Sequence, residues 1–432
     1  MADLGHCLNR SAVIGAGWSG MAAAVTLAER GVPVTVFEAS RSLGGRARRV
    51  SVNGLALDNG QHVLIGAYRE TLAILRKVGA DPRRLFLRRP LELRFADGFH
   101  LRAPRLPYPL NLAFALLGAK QLSWSEALHA LRFMAALRAR GFRVEPDRTV
   151  AQLLDEHGQP GALRAHVWEP LCVSALNTPV GSASAQVFAR VLRDGLAGSG
   201  DASDLLIALT DLGRVFPDPA AKYVEAHGGE IKLGAPVRAV ARQGAGFRLD
   251  DRPECYAAVI LACAPQHAAP LLSGFPELAA LRESIERLDY QPIVTCYLQY
   301  PESVALPAPM LGLNDGIVQW AFDRGQLGGA KGLIAVVISA SGAHEDLAKE
   351  ILLSRINSEL AVALGALPEP RWTQVITEKR ATFSCRPAVE RPGCATPVPG
   401  LFLAGDYVAS EHPGTLEAAV KSGITAAGAA AP

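Results

Sequence analysis

Three glycines near the start of the chain, Gly15, Gly17 and Gly20, stand at the spacing with which a backbone turn wraps a pyrophosphate. Gly15 permits the tight turn, Gly17 lets the main chain approach a ligand, and Gly20 allows a helix to pack closely on a strand. Trp18 and Ser19 complete the turn where the helix opens, and a helix N-terminus favours an anion. Ala-Gly-rich helices produce this spacing by chance, so its surroundings decide. Residues 11–14 read as a short apolar strand, 21–30 as a helix stopped by Gly31, and 34–37 as a second strand. Glu38 ends this βαβ unit 18 residues after Gly20, placed to accept hydrogen bonds from a ribose. The unit predicts a dinucleotide site.

Two further stretches narrow the ligand. Arg41-Ser42-Leu43-Gly44-Gly45-Arg46 offers close backbone approach and a fixed positive charge, which suits a pyrophosphate that is held permanently. Near the other end, residues 401–404 read as a buried strand running into Gly405-Asp406, and Pro413-Gly414-Thr415-Leu416-Glu417 opens a helix. An acid at a strand end can hold a ribityl hydroxyl. The free amides of a helix N-terminus stabilise the anionic N1–C2=O edge of a reduced flavin. The ligand therefore reads as FAD. The middle of the chain carries no second GxGxxG, which argues against a built-in NAD(P)H domain and leaves the electron donor external and unidentified.

Together these motifs resemble the flavin amine oxidase and phytoene desaturase superfamily. The resemblance covers both ends and an α/β return in the middle, where Val237 matches an adenine-contacting strand and Ala264-Pro265 its loop. It implies that Ala39, Arg41, Gly45 and Arg46 bind the cofactor together with the N-terminal turn. The same is implied for Gly60, Gln61 and His62, and for Gly405, Asp406, Thr415, Leu416 and Glu417. Ser40 departs from the arginine that amine oxidases often carry there, without disturbing the flavin assignment. The implied fold is α/β: a discontinuous Rossmann-like FAD-binding domain of the glutathione-reductase-like, two-dinucleotide type, with an inserted α+β substrate domain containing a mixed or antiparallel sheet and helices. The expected FAD-binding parts are residues 1–82, 218–272 and 392–432, and the expected substrate-binding parts are 83–217 and 273–391.

A narrower resemblance rests on other residues. Leu57-Asp58-Asn59-Gly60-Gln61-His62-Val63-Leu64-Ile65-Gly66-Ala67-Tyr68-Arg69-Glu70 is similar to a signature of the squalene-associated, desaturase-like proteins, the hydroxysqualene dehydroxylases of hopanoid-making bacteria. So are residues 168–178, 183–188 and 379–383. This resemblance implies removal of the allylic hydroxyl of hydroxysqualene, with hydride from reduced flavin N5 and loss of water. The leaving oxygen needs a proton donor, and a developing allylic cation needs a dry pocket with π faces. His62 is the first candidate for the donor. Glu417 is a second, provided an apolar pocket raises its pKa, and Tyr68 is placed to orient the hydroxyl. Trp168, Tyr297 and Trp320 are candidates for facing the cation, each also explicable as core.

The elements that must hold these residues are legible in outline. Helices are expected at 123–140, 183–192, 220–227, 345–364 and 416–427, and strands at 231–233, 237–241, 257–261, 293–300, 316–322 and 332–339. Short strand-like pieces fill 85–105. In the helix at 123–140 the expected buried face is Trp124, Ala127, Leu128, Leu131 and Ala135.

The 432 residues exceed what one core usually holds, and 49% of them are hydrophobic, enough for a large core and a greasy ligand. With 44 basic and 41 acidic side chains, the balance gives no reason to expect a nucleic acid partner. The seven cysteines, Cys7 among them, are scattered without a CxxC pair, so neither a disulfide framework nor a metal site is expected and a cytoplasmic location fits. The run 106–118 is too short to cross a bilayer. With the arginines between Arg83 and Arg105 and the helix beginning at Trp124, it is expected to give peripheral contact with the inner face of the cytoplasmic membrane. Two rival readings stand beside the dehydroxylase: an oxidative carotenoid desaturase or amine oxidase, and a non-catalytic isoprenoid-binding escort of the GDP-dissociation-inhibitor kind.

Overall fold

Two five-stranded sheets organise the chain in the computed structural model, which describes residues 10–159, 161–314 and 316–431. Cys7 lies outside the described residues. In chain order the strands of these sheets are β1 (Ser11–Ile14), β2 (Val34–Glu38), β3 (Glu230–Leu233), β4 (Ala258–Leu261) and β5 (Tyr290–Gln299). They continue with β6 (Met310–Gly312), β7 (Trp320–Asp323), β8 (Leu333–Ser339), β9 (Trp372–Phe383) and β10 (Leu401–Leu403). The first sheet is parallel, in the order β3-β2-β1-β4-β10. The second is antiparallel, in the order β6-β7-β8-β5-β9.

Composition explains the first sheet. Ser-Ala-Val-Ile in β1 and Ala-Val-Ile-Leu in β4 are buried at every residue, as strands of a parallel sheet covered on both faces must be. The helices used below are α1 (Trp18–Glu29), α2 (Arg69–Lys77), α3 (Leu110–Leu117), α4 (Trp124–Ala139), α5 (Glu169–Leu176), α6 (Ala185–Leu196) and α7 (Leu416–Ala430). Helix α1 links β1 to β2 and is buried from Trp18 to Ala28, because α7 packs along it. Small residues make that contact close. A Cβ added at Gly423 would lie 2.1 Å from the Ser19 carbonyl oxygen; on the other side of α1, one at Gly20 would lie 1.9 Å from the carbonyl oxygen of Gly15, in the turn after β1.

The structure differs from the sequence expectation in several places; the strand expected at 316–322, for one, is confined to Trp320–Asp323. The twelve-residue strand β9 was not anticipated, residues 379–383 being singled out only as part of the narrower resemblance. It is an edge strand, and Glu378, Lys379 and Arg380 interrupt the alternation that would mark it, as charges on sheet edges commonly do. Val237 lies in irregular chain before the strand Val240–Gln243, which pairs in a small antiparallel sheet apart from the parallel one. The face expected to be buried on α4 is corrected: the buried residues are Ala127, Ala130, Phe133, Met134 and Leu137. Trp124 is 77% exposed and Leu128 45%. This helix carries apolar side chains around most of its circumference, so spacing alone could not choose between two stripes.

Candidate active site

A single cavity of about 830 Å³ joins the two halves of the fold. At one end its walls are Gly15, Gly17, Trp18, Ser19, Glu38 and Ala39, with Val237 and Ala264 beside them. Gly45, Arg46, Gly60, Gln61, His62, Tyr68, Gly405, Asp406, Thr415 and Leu416 form the middle of the lining. Leu91, Leu93, Leu171, Val191, Leu192, Ile293, Met310, Trp320 and Phe322 extend it in hydrocarbon. Strands and helices of the second sheet region thus supply the apolar wall, and turns at the ends of parallel strands supply the polar one. Three residues expected to bind the cofactor do not line the cavity. Arg41 is exposed, Gly20 is consumed in packing, and Glu417 is buried elsewhere.

The polar end suits an anionic dinucleotide. Gly15 has φ +107°, and a Cβ there would stand 2.8 Å from the Ala262 carbonyl oxygen, so only glycine makes this turn. The Gly44 amide donates to the Ala16 carbonyl at 2.9 Å, and a Cβ on Gly45 would lie 3.1 Å from the Cα of Gly17. The two glycine turns therefore abut. Helix α1 begins without a side-chain cap and without an acid in its first turn, leaving its first amides open to an anion. Glu38 is fixed by the amides of Ala16 (2.7 Å) and Ser40 (2.8 Å), one on each carboxylate oxygen. Each oxygen keeps a lone pair for a ribose hydroxyl. The Trp18 indole donates to the Ala47 carbonyl at 3.1 Å and ties the first turn to the second. The uncapped amides, the glycine seam and the anchored acid fit the adenosine and pyrophosphate of FAD.

The middle of the cavity is built from loops, and charged side chains hold them. Arg46 donates to Asp406 and, at 2.8 Å, to the Ala381 carbonyl. Asn59 donates to the Arg46 carbonyl (2.7 Å) and accepts from the Arg48 amide (3.0 Å). Arg391 donates to the carbonyls of Asp406 (2.7 Å), Tyr407 (3.2 Å), Val408 (2.5 Å), Ser410 (3.2 Å) and His412 (2.8 Å), and so gathers the whole loop after β10. Gln61 is clamped from both sides: its Nε2 donates to the Tyr297 hydroxyl at 2.7 Å, and its Oε1 accepts from Arg324 at 3.2 Å. The Tyr297 hydroxyl donates in turn to the Asp58 carbonyl at 2.7 Å. Behind this clamp, burial pushes the Asp58 carboxyl up to about 7. Asn59 and Gln61 sit in a motif that the sequence brought forward. Arg324 and Arg391 stand alone in sequence, and nothing short of the fold announces them.

The proposed proton carriers separate clearly. His62 lines the cavity, with Nδ1 3.1 Å from the Gly60 carbonyl, to which it donates. Burial lowers its pKa below the ordinary 6.5, so the imidazole rests neutral. Tyr68 lines the cavity beside Thr415, and burial together with the Glu417 charge raises its pKa, so the phenol keeps its proton. Glu417 is corrected from a proton donor to a structural acceptor. Its carboxylate accepts from the amides of Glu70 (3.1 Å) and Thr71 (2.9 Å) and from the Thr71 hydroxyl (2.7 Å). These amides open α2, whose N-cap residue, Tyr68, provides no side-chain cap. For Trp168 and Tyr297 the core alternative holds. Both are fully buried core, Trp168 donating to Gln159 at 3.0 Å and Tyr297 engaged as above, and of the three aromatic candidates Trp320 lines the cavity.

An FAD-dependent oxidoreductase is the class that this fold and site define. The chain belongs to the flavin-containing amine oxidoreductase family, which it matches over residues 18–431. It is 30% identical to the hydroxysqualene dehydroxylase of Sinorhizobium fredii over 433 residues, with 96% of each chain covered. It is 31% identical to that of Rhodopseudomonas palustris over 444 residues, again with 96% of each covered. Among solved structures, an oxidoreductase from Methanosarcina mazei superposes with a TM-score of 0.74 at 17% identity, covering 96% of this chain and 99% of that one. The last likeness speaks for the fold alone.

The reassignment of Glu417 has a direct check. Glu417→Gln sets an amide N–H against the donors of α2 and is expected to destabilise the holoprotein by about 2 kcal/mol in urea unfolding. FAD content and turnover should stay within about threefold of the parent. Turnover lost by orders of magnitude at unchanged stability would return Glu417 to the chemistry.

Proposed function

We propose that this enzyme removes the allylic hydroxyl of hydroxysqualene to give squalene, replacing C–OH by C–H with loss of water. The observation that carries the reading is one cavity whose dinucleotide end opens into a wall of leucine, valine, isoleucine, methionine and aromatic side chains. The whole-length likeness to hydroxysqualene dehydroxylases supports it. Reduced FAD, when bound, supplies the hydride, having been reduced by a donor outside this chain.

The remaining work falls to the chain's own residues. Leu171, Val191, Leu192, Met310 and Phe322 exclude water, which would otherwise capture an allylic cation. Trp320 and Phe322 offer π faces to developing positive charge. His62 holds one proton at Nδ1 against Gly60, and on charging it presents a second at Nε2 to the departing oxygen. Tyr68, protonated throughout the working pH range, orients that oxygen as a donor.

A hydrocarbon substrate of this kind resides in a bilayer, and one face of the molecule suits contact with it. Leu110, Phe114 and Leu117 on α3 and Trp124 and Leu128 on α4 are exposed apolar side chains, from 41% to 77% accessible. Phe114 shares an open groove with Arg102, Arg105, Pro104 and Leu106. No helix among the described residues is long and apolar enough to cross a membrane. The patch therefore docks on anionic lipid, with aromatic groups at the acyl boundary and guanidinium groups at the headgroups.

Three outcomes test this reading. Dithionite-reduced holoprotein mixed anaerobically with hydroxysqualene should regain the oxidised flavin spectrum and release squalene; a flavin that stays bleached with no squalene formed refutes the dehydroxylase. In single turnover, the rate should fall about tenfold per pH unit above the His62 pKa, because imidazolium is lost as pH rises through it. That break should lie below pH 6.5, the ordinary value, and vanish in His62→Gln; a level profile through pH 5–8 removes His62 from the proton step. Phe114→Asp with Trp124→Asp should cut flotation with anionic vesicles at least about tenfold while sparing turnover of detergent-dispersed substrate. Unchanged flotation would rule out this face.

A further inference from the structure

Helix α5 and strand β7 meet in the cavity wall through one hydrogen bond, from Trp320 Nε1 to Ser174 Oγ at 3.0 Å. An indole nitrogen can only donate, so the direction of this bond is fixed and Ser174 is the acceptor. The serine's own proton is left over. Among the described residues Ser174 Oγ donates to no group, not even a carbonyl of the preceding turn, which serines on helices often use. Ser174 is exposed and belongs to the cavity wall, while Cys172 and Leu176 on the same helix are buried.

The surroundings are largely apolar, with Ser339, Glu378 and Thr382 as the polar residues that the facing sheet adds to the wall. Leu171 and Ala175 flank it on α5, and Met310, Phe322 and Val337 come from the facing sheet. Asn177, the next polar residue of the wall along this segment, is saturated. Its Nδ2 donates to Thr382 Oγ1 (3.0 Å) and to the Pro292 carbonyl (3.3 Å), and its Oδ1 accepts from the Ala340 amide (2.7 Å). A wall meant only for hydrocarbon would gain by carrying alanine at 174, because a polar group facing apolar ligand forfeits its hydrogen bond to water. A hydroxyl whose acceptor side is already filled is instead a donor waiting for an oxygen, and the bond from Trp320 strengthens it.

We propose that Ser174, held by Trp320, recognises the substrate by donating a hydrogen bond to its alcohol oxygen, and so distinguishes the alcohol from its deoxygenated product. The inference rests on the dehydroxylase reading and deepens it. Once the oxygen has left as water, the Ser174 hydroxyl has no partner in the cavity. The product is then held by apolar contact alone and is the more weakly bound of the two.

Binding to the oxidised holoprotein, where no turnover occurs, separates recognition from chemistry. Flavin absorbance changes should show hydroxysqualene binding about tenfold tighter than squalene to the parent protein. Ser174→Ala should cut that preference by about threefold or more through weaker hydroxysqualene binding alone, leaving the part owed to Tyr68, with squalene affinity unchanged. Trp320→Phe, which keeps a ring and removes the donor, should reduce the preference in part, and Ser174→Thr should retain it. Equal weakening of both ligands by Ser174→Ala marks a packing role and overturns the assignment, as does a preference that the substitution leaves undiminished. If the reduced parent protein fails to convert hydroxysqualene at all, the dehydroxylase reading falls and this assignment with it. Conversion by the parent with an undiminished preference in Ser174→Ala overturns the assignment alone.

Discussion

The ion pair between Arg46 and Asp406 closes the site, and most of what surrounds it follows from that bond. Its partners lie 360 residues apart in sequence, each on a turn that follows a glycine of positive φ. Asp406 is 8% exposed at its side chain and Arg46 29%, so removing either would strand the other in poor solvent, at a cost of roughly 3–5 kcal/mol. Neither turn belongs to a helix or strand that could hold it by repeated backbone bonds. Asn59 therefore spans the carbonyl of Arg46 and the amide of Arg48, and Arg391 gathers the carbonyls beyond Asp406. Side chains do here what a ladder does in a sheet.

This arrangement lets one cavity present two different solvents. Where turns converge, unpaired amides and fixed charges favour phosphate and ribose. Where the antiparallel sheet and α5 and α6 converge, regular elements satisfy their own backbone, and the wall can be mainly hydrocarbon, broken by a few polar side chains such as Ser174 and Asp194. The boundary between the two is occupied by Gly60, Gln61, His62 and Tyr68. Gln61 and His62 are each tied by hydrogen bonds and still line the cavity.

How much of this could be read from the chain depended on the range of the interaction. The βαβ unit, with Gly15, Gly17 and Glu38, was legible because its geometry is enforced by neighbours in sequence. Strands β4, β8 and β10 were legible because burial on both faces demands continuous apolar runs. The edge strand β9 was not, since edges tolerate charge. The exposed stripe of α4 was not, since two stripes looked equally apolar. Glu417 shows the sharper limit: its position at the opening of α7 suggested chemistry at the cofactor, yet what it binds is the bare N-terminus of α2, 346 residues earlier. Arg324, Arg391 and the Ser174–Trp320 bond belong to the same class, being contacts whose partners no local pattern connects.

The order of the chain has a consequence for synthesis. Strand β10 completes the parallel sheet, α7 covers α1, and Glu417 satisfies α2, so elements made first wait on residues 401–430. While the ribosome is still extending the chain, the outer edge of β4 is unpaired and the small-residue face of α1 is bare. Both are surfaces on which nascent chains associate wrongly. The cavity, with Asp406, Thr415 and Leu416 in its wall, is complete only once this last segment has docked.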